Sequence, residues 1–241
     1  MGLAYRIIAR LDIKAPNLVK PMQFDGLRVL GNPAEYAKKY ADQGADELLY
    51  IDCVASLYGR NQLGKLIEET SAETFIPITV AGRASYDLLR HGADRIAINT
   101  EAVESPSSIS RISNTCGRQA LSVSMECKRR GNHSWEAYTH GGRNPSGKDA
   151  IQWAQEAVAL GAGEILITSI DRDGTRKGPD LDLLAAIDVD VPVIYSGGIR
   201  LQDVRAVADL SDGMAIGASL HYGDCTIQQV KDALRGYVEI R

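Results

Sequence analysis

Two carboxylates close two similar apolar runs: Asp12 ends RIIARLD and Glu126 ends LSVSME. Acids at the ends of buried strands, given different surroundings, can divide proton donation and acceptance between them. The other reading is of strand-end charges held by the neighbouring Lys14 and Lys128. A second group is rich in small residues. Gly197-Gly198 precedes a helical stretch and Ala218-Ser219 follows the next apolar run, so free backbone N–H groups gather where a phosphate could sit. Thr168 near the end of the run ILITSI, with Asp173-Gly174-Thr175 just beyond it, can complete that pocket. The glycine pair could also serve only to make a tight turn.

These residues recur in register. Asp12 matches Glu126, Gly44 of GADELLYID matches Gly161 of GAGEILITSIDRDG, Gly82 matches Gly198, and Thr100 matches Ser219, always 114 to 119 residues apart. Four matched strand ends at a nearly constant offset make the chain two copies of one plan. Gly82 and Asn99-Thr100 then predict a second phosphate site, and two such sites imply a long substrate phosphorylated at both ends.

The elements that must position these groups alternate. Apolar runs at Tyr5 to Ile13, Glu47 to Cys53, Ile76 to Ala81, Arg95 to Asn99, Gln119 to Cys127, the run after Gly163, Pro192 to Ser196 and Met214 to Ala218 read as buried parallel strands. Helical stretches separate them, among them one opened by Pro33 and ended by Gly44, then Pro106 to Thr115, Lys148 to Leu160, Asp180 to Ile187, Arg200 to Leu210 and Thr226 to Tyr237. Lys14 to Gly31 reads as a long loop carrying Lys20, Gln23 and Arg28, and long loops usually serve a site. A polar loop holds Ser56, Tyr58, Gly59, Arg60 and Asn61, a tight passage runs from Gly82 through Arg83 and Ala84 to Ser85, and Lys128 to Gly142 patterns as a small hairpin. Eight βα units in two halves predict one closed (β/α)8 barrel over residues 1–241, with half-barrels of about 1–118 and 119–241. In such a barrel the site lies at the C-terminal strand ends, which brings in Asp52 and Asp171 as well.

Composition excludes several functions. A net charge of −4 with the two signs interspersed offers no nucleic-acid surface, and no run approaches a membrane span. Cys53, Cys116, Cys127 and Cys225 lie far apart without CxxC spacing, which fits a reducing cytoplasm. His91, His133, His140 and His221 lack metal-ligand spacing and read as surface or capping residues; no metal, nicotinamide or flavin is called for.

Taken together, RIIARLDIK, GADELLYID, GADRIAINT, GAGEILITSIDRDGT and SGGI resemble the cyclase subunit of imidazole glycerol phosphate synthase over essentially the whole chain. The resemblance implies a glutaminase partner on the N-terminal barrel face. It implies ammonia crossing the barrel, and a bis-phosphorylated formimino ribulose cyclised on the other face to imidazole glycerol phosphate and aminoimidazole carboxamide ribotide. Asp12 is implied as one catalytic carboxylate and Lys20 as a loop residue of the site. Arg6, Glu47, Arg95 and Glu164 are implied as a charged ring where ammonia enters, although the same four charges could be a salt-bridge network closing the barrel floor. The chain departs from the pattern where Glu126 replaces an aspartate and where the glycine-rich loop after the third strand shortens to Ala81-Gly82-Arg83. The segment PNLVKPMQFDGLRVLGNP, with Tyr58 to Asn61, resembles a branch found with lipopolysaccharide genes. That branch is thought to pass ammonia from its glutaminase to a sugar amidotransferase, with little chemistry in the barrel itself.

Overall fold

A computed structural model describes residues 4–54, 63–82 and 86–240, and of Tyr86 only the backbone. The polar loop holding Ser56 to Asn61 and the passage Arg83 to Ser85 lie outside the described residues. Eight parallel strands close a barrel in the order β1 (Arg6–Lys14), β4 (Glu47–Asp52), β5 (Ile78–Gly82), β6 (Arg95–Ile98), β7 (Leu121–Gly131), β10 (Glu164–Ser169), β11 (Val193–Ser196) and β12 (Gly213–Ile216). Closure is direct: Arg6 pairs Gly213 of β12, and Ile8 pairs Glu47 of β4. Around the barrel run α1 (Pro33–Asp42), α2 (Gly64–Glu73), α3 (Tyr86–Arg90), α4 (Thr100–Glu104), α5 (Ser107–Cys116), α6 (Ala150–Ala159), α7 (Leu181–Ala186), α8 (Val204–Ala208), α9 (Ala218–His221) and α10 (Ile227–Leu234).

The pleat sorts each strand into two faces. On β1, Ile7, Ala9, Leu11 and Ile13 join the large core between sheet and helices, while Ile8 packs inside the barrel with Leu49, Ala81, Ala97, Leu166, Ile194 and Ala215. The alternate set of β1 is therefore Arg6, Ile8, Arg10 and Asp12, one side chain per level of the interior. Caps fix the helices: Asn32 accepts from Ala34 N, Asp149 from Ile151 N and Gln152 N, and Thr226 forms a capping box with Gln229. The aspartates before three strands repeat one device, Asp46 accepting from Ile7 N, Asp94 from Ile78 N and Asp212 from Val193 N.

Several expectations need correction. Lys14 to Gly31 is not a loop but an antiparallel hairpin, β2 (Asn17–Met22) and β3 (Asp25–Gly31), continuing from β1. The run Leu18, Val19, Lys20 is buried throughout, a strand without alternation, and it is obscured in the sequence by Pro16, Pro21 and two glycines. The second extension is larger than a hairpin: β7 runs on to Gly131 and is followed by β8 (Ser134–Thr139) and β9 (Asn144–Asp149). Arg200 to Leu210 splits into a 3-10 turn, Leu201–Asp203, and α8. The helix α4 carries no periodic signal in the sequence, because five residues are too short for one. No helix among the described residues is long and apolar enough to cross a membrane.

Candidate active site

At the C-terminal strand ends lies a cavity of about 540 Å³ lined by Asp12, Gly82, Asn99, Thr100, Glu126 and Thr168, and also by Arg10 and Ser124. Beside it is a cleft of only about 10 Å³ bounded by Asp173, Gly174, Gly197, Gly198, Ala218 and Ser219. The residues singled out from the sequence thus fall into two neighbouring hollows.

Lys20 stands between the two, on the hairpin. Its ammonium lies 2.5 Å from Asp12 Oδ2 and 3.2 Å from Asp173 Oδ1. Asp12 also accepts from Arg10 Nε at 2.9 Å. Lys14 plays no such part: it is exposed at the end of β1, so the reading of Asp12 as a charge held by its near neighbour fails. Lys128 likewise lies over the Tyr138 ring, 5.7 Å from its centroid, and not on Glu126.

The two carboxylates sit in opposite surroundings. Burial alone would push Asp12 up, but the Arg10 guanidinium and the Lys20 ammonium outweigh it and hold the carboxyl well below the usual carboxylate range. Burial lifts Glu126 to about 7, and the bond its Oε2 accepts from Gly142 N at 2.6 Å only partly opposes this. Near neutral pH one acid is held ionised and the other is poised to exchange a proton.

The small cleft is built by close backbone approach. Gly174 has φ +71°, and a Cβ there would lie 2.4 Å from Pro21 O on the hairpin; Gly198 has φ +72°, and its Cβ would lie 2.5 Å from Gly178 O. Neither position accepts a side chain. The Ser219 hydroxyl donates to Ile199 O at 2.5 Å, so this residue can offer the cleft its backbone and not its hydroxyl. In the larger cavity Asn99 Nδ2 donates to Tyr138 O at 3.0 Å, and Thr100 Oγ1 accepts from His140 N at 2.9 Å. Phe24 at the hairpin tip lies over the Arg10 guanidinium at 5.6 Å, and Gln23 N donates to Asp173 O at 2.9 Å. The hairpin is therefore laid across the mouth.

Arg6, Glu47, Arg95 and Glu164 meet at the opposite end of the barrel. Arg6 bonds Glu47 at 3.0 Å and Glu164 more closely still, while Arg95 lies 3.4 Å from Glu47 and 3.5 Å from Glu164. Thr79 and Ser122 hydroxyls donate to Glu47 and Glu164 at 2.6 and 2.7 Å. The four charges form a closed alternating ring.

Arg10, Ser124, Ser196 and the Gly142 N–H are site groups the sequence reading missed. For Arg10 a signal existed, a cation two positions before Asp12 on an otherwise apolar strand. Gly142 had none, since only the fold of β8 and β9 returns it to Glu126. His221, expected at the surface or as a cap, is half-buried, with Nδ1 2.7 Å from the Tyr40 hydroxyl. Burial and then Lys20 lower its pKa to about 4. Among the described residues no group of three or more His, Cys, Asp or Glu is placed to hold a metal.

A model of the histidine biosynthesis protein family matches residues 6–226. Among similar proteins, the imidazole glycerol phosphate synthase subunit HisF of Legionella pneumophila is 53% identical over 201 residues, 80% of this chain and 95% of that protein. The subunit of the same name from Pyrococcus furiosus is 43% identical over 238 residues, 95% of this chain and 94% of that protein.

Proposed function

The chain belongs to the histidine biosynthesis protein family, and from that premise we propose that it is the cyclase subunit of an imidazole glycerol phosphate synthase. A glutaminase subunit docks on the N-terminal face and releases ammonia there. The ammonia passes the ring of Arg6, Glu47, Arg95 and Glu164, crosses the apolar interior, and meets a bis-phosphorylated formimino ribulose substrate on the other face. The products are imidazole glycerol phosphate and aminoimidazole carboxamide ribotide.

The observation that carries this reading is the pairing of Asp12 and Glu126 in one cavity with opposite surroundings, one held ionised by cations and the other raised by burial. Addition of ammonia to a carbonyl, loss of water and ring closure all require protons to move at one place. Glu126 carries them, and Asp12 with Lys20 faces the charge that develops. One substrate phosphate sits by Gly82, Asn99 and Thr100. The other takes the N–H groups around Gly174, Gly197, Gly198, Ala218 and Ser219, with Thr168 and Asp173 beside it. That cleft has room for about a single water, so the phosphate enters only when the hairpin lifts from Gly174.

Residues 1–118 and 119–241 act as two half-barrels of one unit, each contributing one carboxylate and one phosphate site. We place the reaction in the cytoplasm, where Cys53, Cys116, Cys127 and Cys225 remain free thiols. The alternative, a barrel that only passes ammonia to a sugar amidotransferase, is not favoured by the relatives' names.

Single-turnover cyclisation with ammonium salt at about pH 8.5, where some ammonia is unprotonated, tests the reading. Turnover abolished in Asp12→Asn and raised in Glu126→Asp supports a cyclase whose longer acid is displaced on the scale of about 1 Å that governs rate. No turnover in the natural chain at saturating substrate sinks it and restores the conduit.

A further inference from the structure

We propose that Arg10 is a positioning residue of this site: threaded across the barrel mouth from β1 to β10 and β11, its guanidinium fixes Asp12 and walls the Lys20 cluster off from Glu126. The proposal rests on the cyclase reading.

The geometry is specific. Arg10 is 1% exposed, and its Nε donates to Asp12 Oδ1 at 2.9 Å. Its Nη1 donates to Ser196 Oγ at 3.0 Å, lies 3.4 Å from Thr168 Oγ1, and is 3.3 Å from Asp173 Oδ1. One side chain rooted in the first strand thus reaches the sixth and seventh barrel strands and the loop beyond the sixth. The spaces on either side of it are lined by small groups, Ala81, Ala97 and Ser124 in the cavity and Ala215 in the cleft. Arg10 therefore fills one half of the mouth and leaves the other half open as the cavity.

A core of this kind does not need an arginine. Burying a guanidinium is costly, and an apolar side chain of similar volume commonly gives a fold at least as stable. What an apolar residue cannot supply is the charge balance. Arg10 and Lys20 face Asp12 and Asp173, two cations against two anions with every contact at 3.3 Å or less. Without Arg10, two carboxylates would share one ammonium, and one of them would take up a proton.

Two titratable groups close to Asp12 are neutral near pH 7. Cys53, beyond β4, has its thiol pushed up by burial and by Asp12, and His221 of α9 is held neutral. Glu126 is faced by Arg10, Asp173, Arg143 and the Gly142 N–H. Arg10 is the cation common to both carboxylates. It assigns them separate tasks, Asp12 as a fixed anion and Glu126 as the sole proton carrier.

The test compares the natural chain with Arg10→Met and Arg10→Lys by two readouts: the pH profile of kcat with ammonium salt, and titration of the Asp and Glu carboxyls by carbon-13 NMR in the substrate-free protein. In Arg10→Met, kcat falls by about 100-fold, the loss that misplacing a catalytic group by 1 Å produces, with KM little changed. A new carboxyl titration, absent from the natural chain, enters the range of about pH 4 to 6 and belongs to Asp12. Arg10→Lys keeps the charge but cannot span all four partners, so it restores the natural titration and only part of kcat. If Arg10→Met does not fold, a natural kcat in Arg10→Lys overturns the proposal. A folded Arg10→Met with the natural pH profile and no new titration also overturns it. Absence of turnover in the natural chain would instead defeat the cyclase reading, and the NMR titration would still decide what Arg10 does to Asp12.

Discussion

Asp12 and Glu126 respond to pH in opposite senses, and that difference separates their roles. The raised Glu126 contributes stability that is full below its unfolded value of about 4.3 and is lost as pH rises through about 7. Glu126→Gln removes the loss, so its stability relative to the natural chain should improve by roughly 3 kcal/mol between pH 5 and pH 8. Urea unfolding at the two pH values measures this, and an unchanged difference would mean that Glu126 is better solvated than its position implies. Asp12 has the opposite sign: its contribution is present above about pH 3.9 and disappears only as pH falls through its depressed folded value. Asp12→Asn at neutral pH leaves Arg10 and Lys20 with one carboxylate between them and should cost about 3 kcal/mol or more, beyond any loss of turnover. Both acids were legible in the sequence because each ends an apolar run and each has a partner in the other half. Their difference in protonation was not legible, because it comes from the burial of Glu126 and from the contacts of Asp12 with Arg10 and Lys20, which exist only once the barrel closes.

The hairpin of β2 and β3 lies over the site, with Phe24 against the Arg10 guanidinium and Gln23 N donating to Asp173 O. Its register was hidden by two prolines and by bulges between Leu18 and Val19 and between Lys20 and Met22, which break the alternation that identifies a strand. The barrel strands were readable since each is a continuous apolar run between helices. Gly174 ties hairpin to barrel, and the fit is tight enough to test. Gly174→Ala places a methyl group 2.4 Å from Pro21 O on a backbone with φ +71°, so either the hairpin lifts or the loop strains by about 1–3 kcal/mol. The outer part of the hairpin is the cheaper to move, as Met22 is 60% exposed and Val29 is 59% exposed, with the buried Lys20 left in place. The expected result is faster proteolysis between residues 20 and 30 with a melting temperature lowered by only a few degrees. A large fall in melting temperature without new cleavage would show that the strain stays in the barrel.

At the scale of the whole molecule, the question is whether the floor ring only closes the barrel or also opens. Arg6 is held closely by both glutamates and is 14% exposed in its side chain, whereas Arg95 lies 3.4 to 3.5 Å from the same glutamates, donates from Nε to Gln119 O at 3.1 Å and is 22% exposed. Above the ring the interior is Ile8, Leu49, Ala81, Ala97, Leu166, Ile194 and Ala215, a lining that admits neutral ammonia more readily than ammonium. If one member swings aside, it is Arg95, whose looser contacts lose least. Arg95→Ala should cost about 1 kcal/mol or less, as partly solvated ion pairs do, while Arg6→Ala should cost about 3–5 kcal/mol by stranding two buried glutamates. On the proposed reading, ammonium salt enters the cavity without passing the floor. Turnover driven by ammonium should therefore stay within about twofold in Arg95→Ala, whereas turnover driven by glutamine through the glutaminase should change by at least about tenfold, 1.4 kcal/mol in the barrier. A ring that merely braces the barrel would move both activities together and in step with stability, and that result would remove the passage of ammonia from the account of this protein.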